Sequence, residues 1–180
     1  HGNGTQAAFE SDAHVLYVST HQSPFYPGSG DVTECGAGDG LGFTVNVPME
    51  AGCGDDDVLL VYREVVLPVL SAFAPSLVVM SAGYDAHERD PLAGMRMSTD
   101  GYARLTRMLV EAGAGARLLL VTEGGYDPAA LAASLEASLM VMSGQPATVA
   151  AAEPAQASDR RGARAATRAR GVLARYWRGL

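Results

Sequence analysis

The sequence contains no lysine; its 13 basic residues are all arginine. We read this as a bias of composition with no functional meaning of its own. Basic residues are also scarce over most of the chain: residues 1 to 150 hold six arginines against 18 acids, and the other seven arginines fall in residues 151 to 180. A body with that balance is a poor electrostatic partner for a phosphate backbone, so nucleic acid is not expected as its ligand. Cysteine is limited to Cys35 and Cys53, with no C-x-x-C spacing. That excludes a cysteine zinc knot and a dithiol redox motif, and predicts two free thiols in a reducing compartment. Long apolar runs are missing too. Arg63, Glu64, Pro68 and Pro75 interrupt the most apolar region, so no segment suits a membrane span. The chain opens on His1 rather than methionine, and no secretory leader can be read from it.

What is present reads as one α/β unit. At 180 residues the chain has the size of a single domain with a real core. Short aliphatic runs, each followed by polar or glycine-rich residues, occur at 14–20 (HVLYVST), 43–48 (FTVNVP), 76–82 (SLVVMSA) and 117–123 (RLLLVTE). Helical patterns lie between them: 56–73 behind the acids Asp55 to Asp57, 99–113 after a Ser-Thr-Asp cap signal, and 128–142 opened by Asp127-Pro128. Nearly continuous apolar strands alternating with helices predict a three-layer α/β sandwich with a mainly parallel sheet.

In such sheets ligands bind beyond the carboxyl ends of the strands. The residues there are Ser19-Thr20-His21, Ser81-Ala82-Gly83-Tyr84-Asp85 and Glu123-Gly124-Gly125-Tyr126. Asp85 leaves a strand behind a glycine; it suits either a hard anionic ligand to a divalent metal or a helix or turn cap. His87, two residues on, can also ligate a metal, against the more usual reading of an exposed, solvated loop histidine. Tyr126 follows two glycines that let the backbone approach a ligand. It can donate to an oxyanion, or lie over the sheet edge with its hydroxyl in water. A third reading has Gly124 and Gly125 cradling a phosphate at the next helix N-terminus. Neither a Walker nor a G-x-G-x-x-G pattern is present, and no basic residue is adjacent.

Four stretches in order, HGNGTQ, FYPGSGDVTECGAGDGLGFTVNVP, SAGYDAHERDPLAGM and LVTEGGYDP, resemble the zinc-dependent histone deacetylase family, specifically its class II and bacterial acetylpolyamine amidohydrolase members. The resemblance runs from residue 1 to about 142 and resumes at the final RYWRGL. It implies an arginase/deacetylase-like fold and hydrolysis of an acetyl amide by a zinc-bound water, with a histidine base and a tyrosine on the oxyanion. By the same resemblance Asp85 is a zinc ligand, Tyr126 the oxyanion tyrosine, and Asn3 the partner that orients an active-site histidine. A neutral asparagine there stabilises imidazolium less than a carboxylate does. Tyr26 and Leu92 match the wall and rim of an acyl-lysine tunnel, with Gly124 and Gly125 beside it. Ser19 and Thr20 match a potassium site near the zinc, and Phe9, Asp12, Val15 and Phe43 a second one built largely from backbone carbonyls.

The family's Asp-x-His-His-Gly pattern would place its ligating Asp and His, the active-site histidine pair and the first part of the sheet before residue 1; His1 matches the second histidine, which is not a ligand. One carboxylate does not hold a catalytic zinc, which needs about three protein ligands. The 180 residues alone are therefore expected to be an inactive piece of a deacetylase. Residues 1–142 read as the C-terminal part of its catalytic domain, 143–160 as a linker or surface loop, and 161–180 as an arginine-rich helix. For that helix, docking of its aromatic end on the acidic body competes with a nucleic-acid arm. The substrate expected is an acetyl-lysine, an acetylpolyamine or a similar amine, the setting a bacterial cytoplasm. The competing function is a noncatalytic deacetylase-like or small-ligand-binding module.

Overall fold

Capping chemistry marks where half of the described α-helices begin. The computed structural model describes residues 2–113, 117–145 and 160–180. Helix α1 (Asn3–Phe9) buries no residue. Strand β1 (Tyr17–Gln22) pairs in parallel with β2 (Thr44–Met49), from Tyr17 opposite Thr44 to Gln22 opposite Met49. Helix α2 (Asp55–Val61) starts where the Asp57 carboxylate accepts the Gly54 N–H at 3.3 Å. It runs through a π-helical turn (Tyr62–Val66) into α3 (Leu67–Phe73). Strand β3 (Leu77–Ala82) pairs in parallel with β4 (Arg117–Thr122). Between them, α4 (Thr99–Ala112) is capped by Ser98, whose hydroxyl accepts the Gly101 N–H at 3.0 Å and itself donates to Asp55 at 2.6 Å. After β4, α5 (Pro128–Met142) opens on Asp127, which accepts the Ala130 N–H at 2.8 Å. The last helix is α6 (Arg161–Leu173).

These elements form an α/β fold with parallel strands, as the sequence pattern predicts. Strand β2 is covered on both faces, with Val45, Asn46 and Val47 almost wholly buried. Helix α6 meets it, with α2 packed in turn against α6, and α6 lies close through small residues: Ala166, Ala169 and Gly162 are buried. A Cβ at Gly162 would stand 2.6 Å from the Asp57 backbone, whose side chain accepts the Gly162 N–H at 2.7 Å. Beyond α6, Trp177 donates to the Gly42 carbonyl at 2.9 Å and meets Phe43 edge-on, ring centroids 5.5 Å apart. Arg164 forks onto Glu50 and Arg170 pairs with Glu64. The arginines that the sequence leaves open between a solvated arm and a docked helix thus include two that pair with acids of the body. The expected loop at 143–160 falls mostly outside the described residues, as does His1.

Two further expectations meet the structure here. Cys35 and Cys53 are free and buried. Among the described residues, no helix is long and apolar enough to cross a membrane.

Candidate active site

The carboxyl ends of all four strands converge on one loop, residues 83–97. Past β3 and β4 the parallel pairing continues for a step, the Glu123 N–H donating to Ala82 O at 3.0 Å and the Tyr84 N–H to Gly124 O at 2.8 Å. The loops after these strands therefore leave the sheet side by side. On its other flank, loop 83–97 receives the Gln22 side chain from the end of β1, which accepts the Gly94 N–H at 2.7 Å. Gly52 and Cys53, just past β2, bond to Gly94 and Arg96.

Asp85 occupies a slot in this loop. The preceding Tyr84 is 2% exposed, its ring tilted against Tyr102 with centroids 4.9 Å apart, and this buried anchor holds Asp85 at the surface of the fold, half-buried. A Cβ at Gly83 would come within 2.8 Å of its Oδ1, and one at Gly124 within 2.8 Å of Oδ2. A side chain at either position would displace the carboxylate from this seat. Asp85 caps neither neighbouring helix, since α4 is capped by Ser98 and α5 by Asp127. Burial, with a further push from the Asp85 charge, raises the Tyr102 phenol well above its ordinary range, so Tyr102 is a neutral wall of the site.

Tyr126 stands on the neighbouring loop and is 57% exposed, so its phenol is open to a ligand. Gly125 before it has φ of 140°, where a side chain is strained, and a Cβ would press on Leu131 and Tyr84. The phosphate-cradle reading of these glycines meets an obstacle: the Asp127 carboxylate already occupies the start of α5, and Arg89 is spent on it at 3.1 Å. Hydrogen bonding to the Ala130 amide, then the Arg89 charge, holds Asp127 below the usual carboxylate range.

The remaining candidates are placed as follows. Tyr26 and Leu92 are 84% and 59% exposed, each on a loop beyond a strand end. Ser19 contacts His21 Nδ1 at 2.9 Å and Thr20 contacts the Tyr62 hydroxyl at 3.3 Å. Side chains alternate along β1, so these two hydroxyls face opposite sides of the strand. Phe9, Asp12 and Val15 are linked by two successive turns, and the Phe43 carbonyl accepts the Tyr17 N–H beside them at 2.9 Å. The carbonyls of Phe9 and Asp12 each accept one backbone bond, which leaves a lone pair on each. Asn3 is exposed at the start of α1. His87 differs from expectation: it is 5% exposed, stacks on Tyr102, accepts the Arg89 N–H at Nδ1 and contacts Thr99 through Nε2. It is a wall residue rather than a solvated one. Asp90 has no assigned role in the sequence, although its Asp-Pro step is a turn signal; it is buried and bonds to Tyr126.

A catalytic zinc does not fit the described residues alone. No group of three or more His, Cys, Asp or Glu side chains among them could hold a metal. Asp85 offers a single hard donor, short of the three protein ligands such a site needs.

Comparison with known proteins agrees with this architecture. Residues 1–142 match the histone deacetylase domain family. A probable deacetylase of Archaeoglobus fulgidus is 44% identical over 130 residues, covering 71% of this chain and 36% of that protein. Histone deacetylase 15 of Arabidopsis thaliana is 43% identical over 149 residues, covering 81% and 27%. Among solved structures, the HDA15 HD domain superposes with a TM-score of 0.87 at 37% identity, over 98% of this chain and 48% of that one. The histone deacetylase Clr3 superposes with a TM-score of 0.91 at 36% identity, over 99% and 30%. The chain thus spans about a third of the length of the curated relatives it matches. An archaeal and a plant relative lend the expected bacterial source no support.

Proposed function

The chain belongs to the histone deacetylase family, and from that premise we propose that the whole protein hydrolyses the acetyl amide of an acetyl-lysine, an acetylpolyamine or a similar amine. One observation carries the proposal: Asp85 and Tyr126 rise from adjacent strand ends held side by side by backbone pairing. In this reading Asp85 is one zinc ligand, the other donors coming from outside the described residues. Tyr126 donates its phenolic proton in a hydrogen bond to the carbonyl oxygen as that oxygen gains charge in the tetrahedral state. Tyr26 and Leu92, both open to solvent, are apolar surface for the methylene chain of the amine. Asn3 orients a histidine outside the described residues. Ser19 and Thr20, and the carbonyls of Phe9, Asp12, Val15 and Phe43, are candidate potassium ligands. Residues 1–142 are then the C-terminal part of a catalytic domain on which α6 packs.

The single donor in the described set also favours a second reading, a noncatalytic deacetylase-like module. Zinc analysis and turnover of an acetyl-lysine reporter separate the two. The intact protein is expected to retain zinc and turn over the reporter, Asp85→Asn to lose both, and the 180 residues alone to do neither. An intact protein with neither zinc nor turnover would establish the module.

A further inference from the structure

Loop 83–97 and the Tyr126 loop are joined by three links. The first is the backbone bond from Tyr84 N–H to Gly124 O, which continues the sheet. The second is the ion pair of Arg89 with Asp127, whose side chains are 56% and 24% exposed; exposed pairs of this kind contribute little. The third is Asp90, which is 9% exposed. Its Oδ1 accepts the Leu92 N–H at 2.9 Å and the Ala93 N–H at 3.2 Å, and its Oδ2 accepts the Tyr126 N–H at 2.8 Å. Of the three links, only this one ends on the backbone of the residue that carries the exposed phenol.

We propose that Asp90 is a positioning residue for Tyr126: its buried carboxylate fixes the backbone from which the phenol projects and, through the other oxygen, the turn that presents Leu92. The inference rests on the reading of Tyr126 as the oxyanion donor. The chemistry requires a carboxylate. Three N–H groups converge on it, and bonds to an ionised acceptor are roughly twice as strong as neutral ones. An amide of the same shape accepts at one atom only. In Asp90→Asn the carbonyl oxygen stays with the two donors of the 92–93 turn, and the NH2 group is left facing the Tyr126 N–H. The variant therefore frees Tyr126 while keeping the Leu92 turn.

A double-mutant cycle in the intact protein, read as kcat and KM on an acetyl-lysine reporter, tests this. Asp90→Asn is expected to lower kcat by about 10- to 100-fold, the scale of a misplaced catalytic group, with KM changed by less than about threefold. In a Tyr126→Phe background, where no phenol remains to be misplaced, Asp90→Asn should cost less than about threefold. An equal loss in both backgrounds would overturn the positioning role and leave the oxyanion reading intact. A silent Tyr126→Phe would overturn the oxyanion reading itself and this inference with it. If Asp90→Asn does not fold, Asp90→Ser replaces it in the cycle, since a serine hydroxyl can rebuild the local turn without reaching Tyr126.

Discussion

Cys53 has no exposed surface, and burial, with the nearby Asp57 charge adding to it, pushes its thiol up to about 12. Burial raises Cys35 as well. At pH 8 a thiol with a pKa near 12 is thiolate only to about one part in 10⁴, so native Cys53 should react with a disulfide reagent about 10³-fold more slowly than an unfolded thiol. Time courses with and without denaturant check this; rapid native labelling of Cys53 would contradict the burial described. The same distinction between exposure and environment explains how much of the site was legible. Asp85 and Tyr126 could be read because strand ends are where parallel sheets place chemistry. His87 could not be read correctly, because only the packing of Tyr102 and Thr99 around it reveals its burial. Asp90 carried a turn signal, but its second oxygen is used across 36 residues of sequence, a distance at which local pattern is silent.

Helix α6 offers two glycines in different surroundings. Gly162 abuts the Asp57 backbone, whereas Gly171 has nothing within 4 Å of a would-be Cβ. Gly162→Ala should cost about 1–3 kcal/mol through overpacking, and Gly171→Ala should gain about 0.5–1 kcal/mol from helix propensity. Opposite shifts of the urea midpoint are the expected outcome. The start of α5 supplies a pH dependence. Asp127 is held below its ordinary 3.8 by the Ala130 amide first and Arg89 after it. Its contribution is therefore complete above that ordinary value and is lost as pH falls through the depressed one. Asp127→Asn keeps a cap but has no carboxylate to protonate, so its stability deficit relative to wild type should shrink as the solution is acidified below about pH 4. Elements with such chemical punctuation were readable: α5 spans 128–142, as its Asp-Pro opening predicts. The start of the first strand was not, because Asp12 accepts the His14 amide in a local turn and the strand begins only at Tyr17. Helix α1 was missed altogether, since it buries nothing and so shows no apolar period.

At the scale of the molecule, β3 and β4 read as strands buried on both faces, yet Leu77, Val79, Leu119 and Val121 on one face are 41–54% exposed. Val79 and Leu119 stand opposite each other in register. A contiguous apolar sheet face of this kind calls for cover. The 180 residues alone should bind a hydrophobic dye, and Val79→Ser with Leu119→Ser should reduce that binding; an absence of dye binding would show the face to be covered. The central claim concerns the carboxyl end of this sheet, where Asp85 and Tyr126 emerge together. Its most direct test is the kcat of the intact protein and its Tyr126→Phe variant on an acetyl-lysine reporter, with zinc content measured on the same samples. A fall in kcat of about 10²- to 10³-fold at unchanged zinc content is the predicted result. Undiminished turnover by Tyr126→Phe would contradict it.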